Sequence, residues 1–413
     1  MWVYQLLLKA LTPWILRKLK RFDQAYDNYS ISQAMGEVDE DIHADLWIHC
    51  ASVGEVLAVR PLVSRWQATN PEKHLLITTM TPTGAAQVVS LFKVNVQHHY
   101  LPIDWDKSVV NFLAKLTCPK LLIVETELWP NLLNRCQQKG IDVHIINARL
   151  SERSLRKYTK FPSLSKKLMQ LPTQFCAHDE TDARRFRTLG ADSVCVTGNI
   201  KFDLTVPDSV LESDWRQRIG KCLPIWIGAS THEGEEPLLL EAHKAIQKMF
   251  NNALLLLVPR HPERFELVYE LAKAHFDRVA KRSEMTIEDW SQYDVVIGDS
   301  MGELLYYYQC SDVVFVGGSL IERGGHNPIE PALLAKPILV GEHTFNFKEI
   351  TQDLIKIDAA WRCLTVADIE RSTKQLFENE TLCFLMGEKS MSYAKNNQGA
   401  VERVLHSVGE ALN

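Results

Sequence analysis

The sequence lacks the short signatures of several common protein classes. Its nine cysteines stand singly and no two have CxxC spacing, which argues against a zinc site or a disulfide framework; they lie at positions 50, 118, 136, 176, 195, 222, 310, 363 and 383. We interpret them as reduced cytosolic thiols, mostly in the core. The net charge of −5 is mild, so no nucleic-acid partner is implied. No GxGxxG follows the first predicted strand, which disfavours a dinucleotide-dependent dehydrogenase.

Motifs that hold a catalytic metal are also missing. The chain has no HExxH, and no DxD pair lies near a strand end in its second half. We therefore expect chemistry that needs no metal ion and no cofactor besides its substrates.

The first 21 residues combine an apolar segment with a basic end. The apolar part is interrupted by Lys9 and Pro13 and is shorter than the about 20 residues that cross a bilayer. A signal peptide would carry its positive charge first and a cleavage site last, and neither is present. The charge instead follows the apolar part, at Arg17, Lys18, Lys20 and Arg21. This order favours a monotopic anchor on anionic lipid, and an ordinary amphipathic surface helix is the alternative.

Beyond a polar stretch at residues 22–45, interpreted as a linker, strand and helix signals alternate along the chain. Such alternation predicts parallel sheets covered by helices. The predicted strands are 46–50, 75–79, 97–101, 120–124, 142–146, 174–177 and 194–196 in the first half, and 224–227, 253–258, 294–297, 313–316 and 337–340 in the second. The fold class is therefore α/β, with two Rossmann-like, doubly wound parallel-sheet domains, as a length of 413 residues also suggests.

The pattern stops between Asn199 and Pro224, where we place the domain boundary. The predicted division is a membrane-associated helix at 1–21, a first domain at 22–205 and a second at 206–391. A helical segment at 392–413 is expected to pack back on the first domain.

A glycine-rich segment at residues 317–332 follows the apolar strand 312–316 and has the features of a phosphate-binding loop. Asn327 is a plausible N-cap, Pro328 stands where a helix would begin, and Glu330 falls in its first turn. Glycines let the backbone approach an anion, and the N–H groups of a helix start attract it. Glu330 could accept hydrogen bonds from a ribose. The segment suggests a nucleotide-sugar donor, and an ordinary strand–helix turn is the alternative.

Polar side chains follow the strands of the first half, at the edge where open α/β sheets bind ligands. Glu55 could take a proton from an acceptor hydroxyl, or it could be a helix-start glutamate stabilised by the helix dipole. Glu125 and Glu127 would be costly to bury together without a function or a cation partner. Lys201 could steady developing negative charge, or it could form an interdomain salt bridge to Asp203 or to another residue.

The second half has its own candidates at strand ends. Arg260 is placed to fork onto a phosphate or a sugar carboxylate. Asp299 or Ser300 is expected to cap a helix whose first turn, opened by Gly302, would receive a base or phosphate. Residues 230–236 resemble a capping box. His326 could touch a donor phosphate, although a lone histidine is more often structural.

Taken together, these segments resemble the Kdo transferases, which move 3-deoxy-D-manno-octulosonate (Kdo) from CMP-Kdo onto the lipid A precursor in lipopolysaccharide biosynthesis. The matching segments cover nearly the whole chain: SVGE (52–55), TTMTPTG (78–84), ETELWPN (125–131), NARLS (147–151), TGNIKFD (197–203), STHEGEE (230–236), VPRHPER (258–264), GDSMGEL (298–304), FVGGSLIERGGHNPIEPA (315–332) and HTFNFK (343–348). The resemblance implies a GT-B glycosyltransferase with a cleft between its two domains.

The same resemblance implies roles for individual residues. Glu55 corresponds to the catalytic base, and Glu125 and Lys201 correspond to residues that stabilise the transition state. CMP would be held by Pro259 and Arg260, by Met301, Gly302 and Glu303, and by Asn327, Pro328, Ile329 and Glu330. The acceptor would be the lipid A precursor (lipid IVA, the tetraacyldisaccharide bisphosphate). The enzyme would lie on the cytoplasmic side of the cell inner membrane, as a peripheral or single-anchor protein.

Two other interpretations stay open at this point. One is a GT-B enzyme that uses a UDP-sugar, and the other is a catalytically silent lipid-binding scaffold with a transferase fold. The stretch from Phe22 to Ala44 is acidic where the family usually carries a more basic segment.

Overall fold

The computed structural model describes residues 2–92 and 96–410. The chain folds into two compact units, one formed by residues 1–203 with 397–413 and the other by residues 204–396. The boundaries expected from the sequence, at 205 and 391, lie within a few residues of these. Each unit contains a seven-stranded sheet whose neighbouring strands all pair in parallel. The predicted α/β fold class is confirmed.

Among its described residues the first unit has nine strands: β1 Ile42–His43, β2 Leu46–Cys50, β3 Leu75–Thr79, β4 Val96–Tyr100, β5 Leu116–Thr117, β6 Lys120–Val124, β7 Asp142–Ala148, β8 Gln174–Ala177 and β9 Val194–Val196. The sheet order is β4-β3-β2-β6-β7-β8-β9, and β1 pairs separately with β5. Its helices are α1 Trp2–Ala25, α2 Ile31–Ala34, α3 Val53–Ala58, α4 Arg60–Thr69, α5 Pro82–Leu91, α6 Asp106–Lys115, α7 Pro130–Lys139, α8 Glu152–Tyr158, α9 Pro162–Met169 and α10 Glu180–Thr188. A short 3₁₀ turn spans Ile200–Phe202.

The second unit has seven strands: β10 Ile225–Thr231, β11 Leu254–Pro259, β12 Val279–Lys281, β13 Val295–Ile297, β14 Val313–Val316, β15 Ile338–Val340 and β16 Ala360–Arg362. They follow the order β12-β13-β11-β10-β14-β15-β16. Its helices are α11 Asp208–Leu211, α12 Trp215–Ile219, α13 Glu236–Gln247, α14 Phe265–Lys273, α15 Leu304–Cys310, α16 Ile329–Leu333, α17 Lys348–Lys356, α18 Val366–Glu378 and α19 Glu380–Asn396. The last helix of the chain, α20 Ala400–Ser407, belongs to the first unit.

The central strands are the ones that the sequence predicted best. Strands β2, β3 and β10 are buried along their whole length, as their apolar runs indicated. Strands β12 and β16 were missed. Each has three residues, is only partly buried and forms an edge of the second sheet, so neither has a recognisable apolar run.

Strand order determines where ligands can bind in each unit. In the first sheet β2 lies between β3 and β6, and in the second β10 lies between β11 and β14. The chain therefore reverses its direction of travel across the sheet next to β2 and next to β10. Open α/β sheets bind ligands beyond the carboxyl ends of the strands at such switch points. Glu55 and Glu125 follow β2 and β6, while His232 and the glycine-rich loop follow β10 and β14.

Residues 22–45 are not a linker, so that interpretation was wrong. Helix α1 continues to Ala25, α2 follows it, and β1 pairs with β5. Tyr29 is buried and its ring lies 4.5 Å from that of Tyr100, measured between centroids. Aromatic side chains anchor this stretch to the first unit in spite of its acidic composition.

The C-terminal segment is helical but not continuous. Helix α19 ends at Asn396, and Gly399 adopts a left-handed φ of 88° before α20 begins. The carboxylate of Asp203 accepts hydrogen bonds from the backbone N–H groups of Gly399 and Val401. The helical segment predicted for residues 392–413 is therefore broken between Asn396 and Ala400; its last three residues, 411–413, lie outside the described residues. Helix α20 packs its apolar face into the core of the first unit.

The glycine-rich loop after β14 is held from behind by a buried carboxylate. Oε1 of Glu235 accepts the backbone N–H groups of Ser319 at 3.1 Å and Leu320 at 3.0 Å. Oε2 accepts those of Gly318 at 2.7 Å and His232 at 3.0 Å. Burial raises the pKa of Glu235, while these four hydrogen bonds act in the opposite direction and favour the carboxylate. The amides of Gly318, Ser319 and Leu320 therefore already have an internal acceptor, while the helix start predicted to attract an anion lies further along the chain, after Pro328.

The capping box predicted for residues 230–236 does not form. Helix α13 begins at Glu236 with no side-chain cap, and Ser230 instead lies within β10, one residue before its end, with a left-handed φ of 56°. Glu236 is fully buried and forms an ion pair with Arg264. Gly317 is required beside this strand end, since a Cβ there would lie 2.6 Å from the carbonyl oxygen of Ser230.

We expect Glu235→Gln to lower the free energy of unfolding by about 2–4 kcal/mol, the cost of leaving one or two buried donors without an acceptor. Each oxygen of the Glu235 carboxylate accepts hydrogen bonds from two backbone N–H groups. In the variant, the side-chain NH₂ would replace one of these oxygens and leave its two N–H groups without an acceptor. Urea unfolding measures the change, with the exposed neighbour Glu233→Gln as the matched control, for which we expect a change within about 0.5 kcal/mol. Equal stability of the two variants would contradict the role assigned to Glu235.

Candidate functional site

Glu55 lies in the first turn of α3, just beyond the carboxyl end of β2. The Ser52 hydroxyl donates to Oε1 of Glu55 at 2.8 Å, and the N–H of Ala51 donates to Oε2 at 2.7 Å. Ser52 also accepts the backbone N–H of Glu55, so Glu55 completes the start of the helix. Glu55 thus has the structural role at a helix start that was weighed against catalysis above.

The electrostatic environment of Glu55 is unusual for a helix-start glutamate. Burial raises its pKa from the ordinary 4.5 to about 7; the hydrogen bonds from Ser52 and Ala51 oppose the rise, and the nearby Glu125 and Glu127 add to it. A general base works best when its pKa lies near the operating pH. The raised pKa sets Glu55 apart from an ordinary glutamate at a helix start.

Glu125 and Lys201 form an ion pair at the same edge of the sheet. Nζ of Lys201 lies 3.1 Å from Oε1 of Glu125. Glu125 has a left-handed φ of 61°, a strained conformation for a residue other than glycine, and such strain is concentrated at functional sites. Burial, and then the charge of Glu125, raise the pKa of the neighbouring Glu127. The predicted pair of carboxylates thus has a cation partner.

Two asparagines fix the position of Lys201. The buried Asn147 accepts the N–H of Ile200 on its Oδ1 at 3.0 Å, and Asn199 accepts the N–H of Lys201 itself at 3.0 Å. Asn147 also has a left-handed φ, of 53°. Of the salt-bridge partners considered above, the structure gives Lys201 an ion pair with Glu125, while Asp203 accepts the backbone N–H groups at the start of α20.

In the second unit, Pro259 ends β11 and Arg260 follows it with an exposed side chain. The backbone N–H of Arg260 donates to the carbonyl of Thr231, which fixes the residue beside the end of β10. Its exposed side chain therefore starts beside the switch point of this sheet.

The segment Met301–Glu303 precedes a helix rather than beginning one. Helix α15 starts at Leu304 with no side-chain cap, so the prediction that Asp299 or Ser300 caps it is wrong. Asp299 instead accepts the N–H and hydroxyl of Ser283. Met301 is 70% exposed, and Gly302 has a left-handed φ of 85°. Glu303 accepts hydrogen bonds from Ser300, Tyr307 and Arg282, so its carboxylate is held in place.

The segment Asn327–Glu330 is ordered by its own side chains. Asn327 lies one residue before the cap position, which Pro328 occupies, and its Oδ1 accepts the N–H of Ile329 at 3.0 Å. Its Nδ2 lies 3.4 Å from Oε1 of Glu330. Helix α16 has only five residues, so its macrodipole alone is a weak source of anion affinity.

His326 is not a lone histidine. Its Nε2 lies 2.8 Å from Nε2 of His232, which follows β10. Sequence reasoning missed this pair and also missed Glu235 and Asn147, because their partners lie far away along the chain. Only the burial of a charged residue among backbone amides, visible in three dimensions, identifies Glu235.

Comparison with known proteins identifies relatives of this chain. Residues 20–204 match the family model described as 3-Deoxy-D-manno-octulosonic-acid transferase (kdotransferase). A 3-deoxy-D-manno-octulosonic acid transferase of Haemophilus influenzae is 40% identical over 370 residues, covering 87% of this chain and 85% of that protein. The enzyme of the same name from Bordetella pertussis is 31% identical over 427 residues and covers 99% of both chains.

Among solved structures, the UDP-GlcNAc 2-epimerase of Neisseria meningitidis aligns with a TM-score of 0.57 at 17% identity, covering 88% of this chain and all of that one. A likeness at this identity shows the fold, which is GT-B. The extent and identity of the match to the two sequence relatives show more, and the chain belongs to the 3-deoxy-D-manno-octulosonic acid (Kdo) transferase family.

Proposed function

We propose that this Kdo transferase uses CMP-Kdo as donor and a lipid A precursor as acceptor, with Glu55 as the general base and without a metal ion. The observation that carries the proposal is the buried Glu55 carboxyl, whose pKa of about 7 lies far above that of an ordinary glutamate. A base with this pKa is present partly as carboxylate at neutral pH and still has a high affinity for a proton.

In the proposed reaction Glu55 accepts the proton of an acceptor hydroxyl while that oxygen bonds to the anomeric carbon of Kdo. The bond from this carbon to the CMP phosphate oxygen breaks, and its electron pair stays with the phosphate. Lys201, paired with Glu125 at 3.1 Å, supplies positive charge near the reacting groups. The proposal assigns Glu125 the task of holding the Lys201 ammonium at that position.

The donor is assigned to the second unit. Arg260 offers an exposed guanidinium for the phosphate or the sugar carboxylate, and Glu330 offers a carboxylate for the ribose hydroxyls. Glu303 and Asn327 shape the neighbouring segments through their own hydrogen bonds. In this scheme protein cations meet the charge of the leaving phosphate, so a chelator is not expected to reduce turnover.

We also propose that the protein lies on the cytoplasmic face of the inner membrane through α1. No helix among the described residues is long and apolar enough to cross a bilayer. One side of α1 packs on the first unit through the buried Leu8 and Leu19. Leu11 and Trp14 of the same helix are exposed, and the basic residues of its C-terminal half follow them. Exposed apolar side chains flanked by cations suit a helix that lies in an anionic interface.

The proposed reaction is tested by mass spectrometry of a lipid A precursor incubated with the protein and CMP-Kdo. We expect a mass increase of one or more Kdo units with the wild type and a rate lower by about 10²–10⁴ with Glu55→Gln, which keeps the shape but cannot accept the proton. CMP affinity should not change in this variant. The exposed Glu72→Gln, in the same unit, is the control and should retain full activity. Activity of Glu55→Gln within a few-fold of wild type would remove Glu55 as the base.

The proposed anchor is tested by substitution, because deleting α1 would also uncover the core that Leu8 and Leu19 cover. We expect Leu11→Asp with Trp14→Asp to reduce binding to anionic vesicles about ten-fold or more, since each apolar side chain contributes roughly 1.5–3 kcal/mol on burial. The control is Met249→Asp with Leu267→Asp, two exposed apolar residues of the second unit. Equal co-sedimentation of both double variants with vesicles would place membrane binding elsewhere.

A further inference from the structure

The two histidines at the switch point of the second sheet meet in one plane. Their rings are inclined by only 7°, their centroids are 5.0 Å apart and their Nε2 atoms 2.8 Å apart. The centroid separation is close to the N–N distance plus the two ring radii. His232 and His326 are therefore joined edge to edge by a hydrogen bond, not stacked face to face.

This hydrogen bond restricts the protons that the pair can carry. One Nε2 must donate and the other must accept, so when both rings are neutral the donating ring has an unprotonated Nδ1 and the accepting ring has a protonated Nδ1. The neutral pair thus presents one donor and one acceptor to its surroundings. A single additional proton turns both outward Nδ1 atoms into donors, which is the arrangement that suits an anion.

The surroundings of the pair are rich in cations. His261 lies with its ring centroid 5.3 Å from that of His232. Burial, followed in order by His261, Arg323, Arg260 and Arg264, lowers the pKa of His232 to about 4. Burial likewise lowers the pKa of His326 to about 4, with contributions from His232, Arg260 and His261. Without an anion, the pair is therefore neutral at physiological pH.

The two carboxylates near the pair, Glu235 and Glu236, already have partners. Glu235 accepts the N–H of His232 and three N–H groups of the glycine-rich loop, and Glu236 pairs with Arg264. The backbone of this loop therefore has three fewer donors for a phosphate. Gly318 leaves room for both rings, since a Cβ there would lie 3.1 Å from Cδ2 of His326 and 3.5 Å from Cδ2 of His232. Side chains, rather than these loop amides, are left to meet an incoming anion.

We propose that His232 and His326 form the subsite for the donor phosphate and that the pair takes up a proton when CMP binds. The inference rests on the proposed CMP-Kdo donor and deepens it. The phosphate of CMP-Kdo is a diester with one negative charge, and the departing CMP carries about two. The added proton balances the charge that develops as the sugar leaves, and both Nδ1–H groups then donate to the phosphate.

The test is calorimetry of CMP binding in pairs of buffers that differ in ionisation enthalpy, which counts the protons exchanged. A bound anion raises a histidine pKa by about 1–3 units, so at about pH 6.5 we expect the wild type to take up on the order of half a proton more than His326→Gln or His232→Gln. The protonation of free CMP is the same in every titration and cancels in this difference. The excess should fade by about pH 8.5.

Three controls separate the subsite from a structural role. Each variant should bind CMP about ten-fold more weakly or worse, and cytidine, which lacks the phosphate, with unchanged affinity. His261→Gln removes an exposed histidine beside the pair and should keep the proton uptake. Thermal melting without ligand shows whether each variant is folded.

The outcomes are distinct. Proton uptake that is lost in both pair variants and kept in His261→Gln supports the inference. Equal proton exchange in wild type and both variants, or equal losses of CMP and cytidine affinity, overturns it and leaves the donor assignment intact. A wild type that prefers UMP to CMP overturns the donor assignment and this inference with it.

Discussion

Hydrogen bonding of buried glutamates to backbone amides is the interaction on which both candidate sites depend. Glu235 has four amide donors around its carboxylate, and these fix the loop after β14. Glu55 has one amide and one hydroxyl, with two further carboxylates nearby. Burial raises the pKa of both carboxyls, and the hydrogen bonds from their donors oppose the rise. Around Glu55 two donors oppose burial, and Glu125 and Glu127 add to the rise, so that its pKa of about 7 suits the proton transfer proposed for it.

Parallel sheets explain why these groups meet at all. The carboxyl ends of all strands in a sheet lie at one edge, so residues separated by many positions in the chain become neighbours there. In the first unit this edge joins Glu55 to the ion pair of Glu125 and Lys201, and in the second it joins His232 to His326. The buried central strands fix these positions, while the strained φ of Glu125 and Asn147 directs their side chains.

The sequence predicted the central strands, the two-unit α/β fold and the strand ends that carry Glu55, Glu125, Lys201 and Arg260, because apolar runs and the residues after them are local signals. Local signals failed where tertiary contacts decide the structure. Aromatic packing orders residues 22–45 in spite of their polar composition. The backbone N–H groups of the glycine-rich loop donate to Glu235, which lies more than 80 positions away in the chain. The pairing of His326 depends on His232, and short edge strands have no apolar run to recognise.

The central claim is that Glu55 acts as a base because folding has raised its pKa. The most direct test is the pH dependence of kcat/KM for Kdo transfer, which reports the ionisation of the free enzyme. Glu55 must be unprotonated to accept the hydroxyl proton, so activity should rise with pH and pass its midpoint near pH 7, where its pKa lies. A profile that is flat between about pH 5.5 and 8.5, as an ordinary glutamate base would give, would contradict the claim.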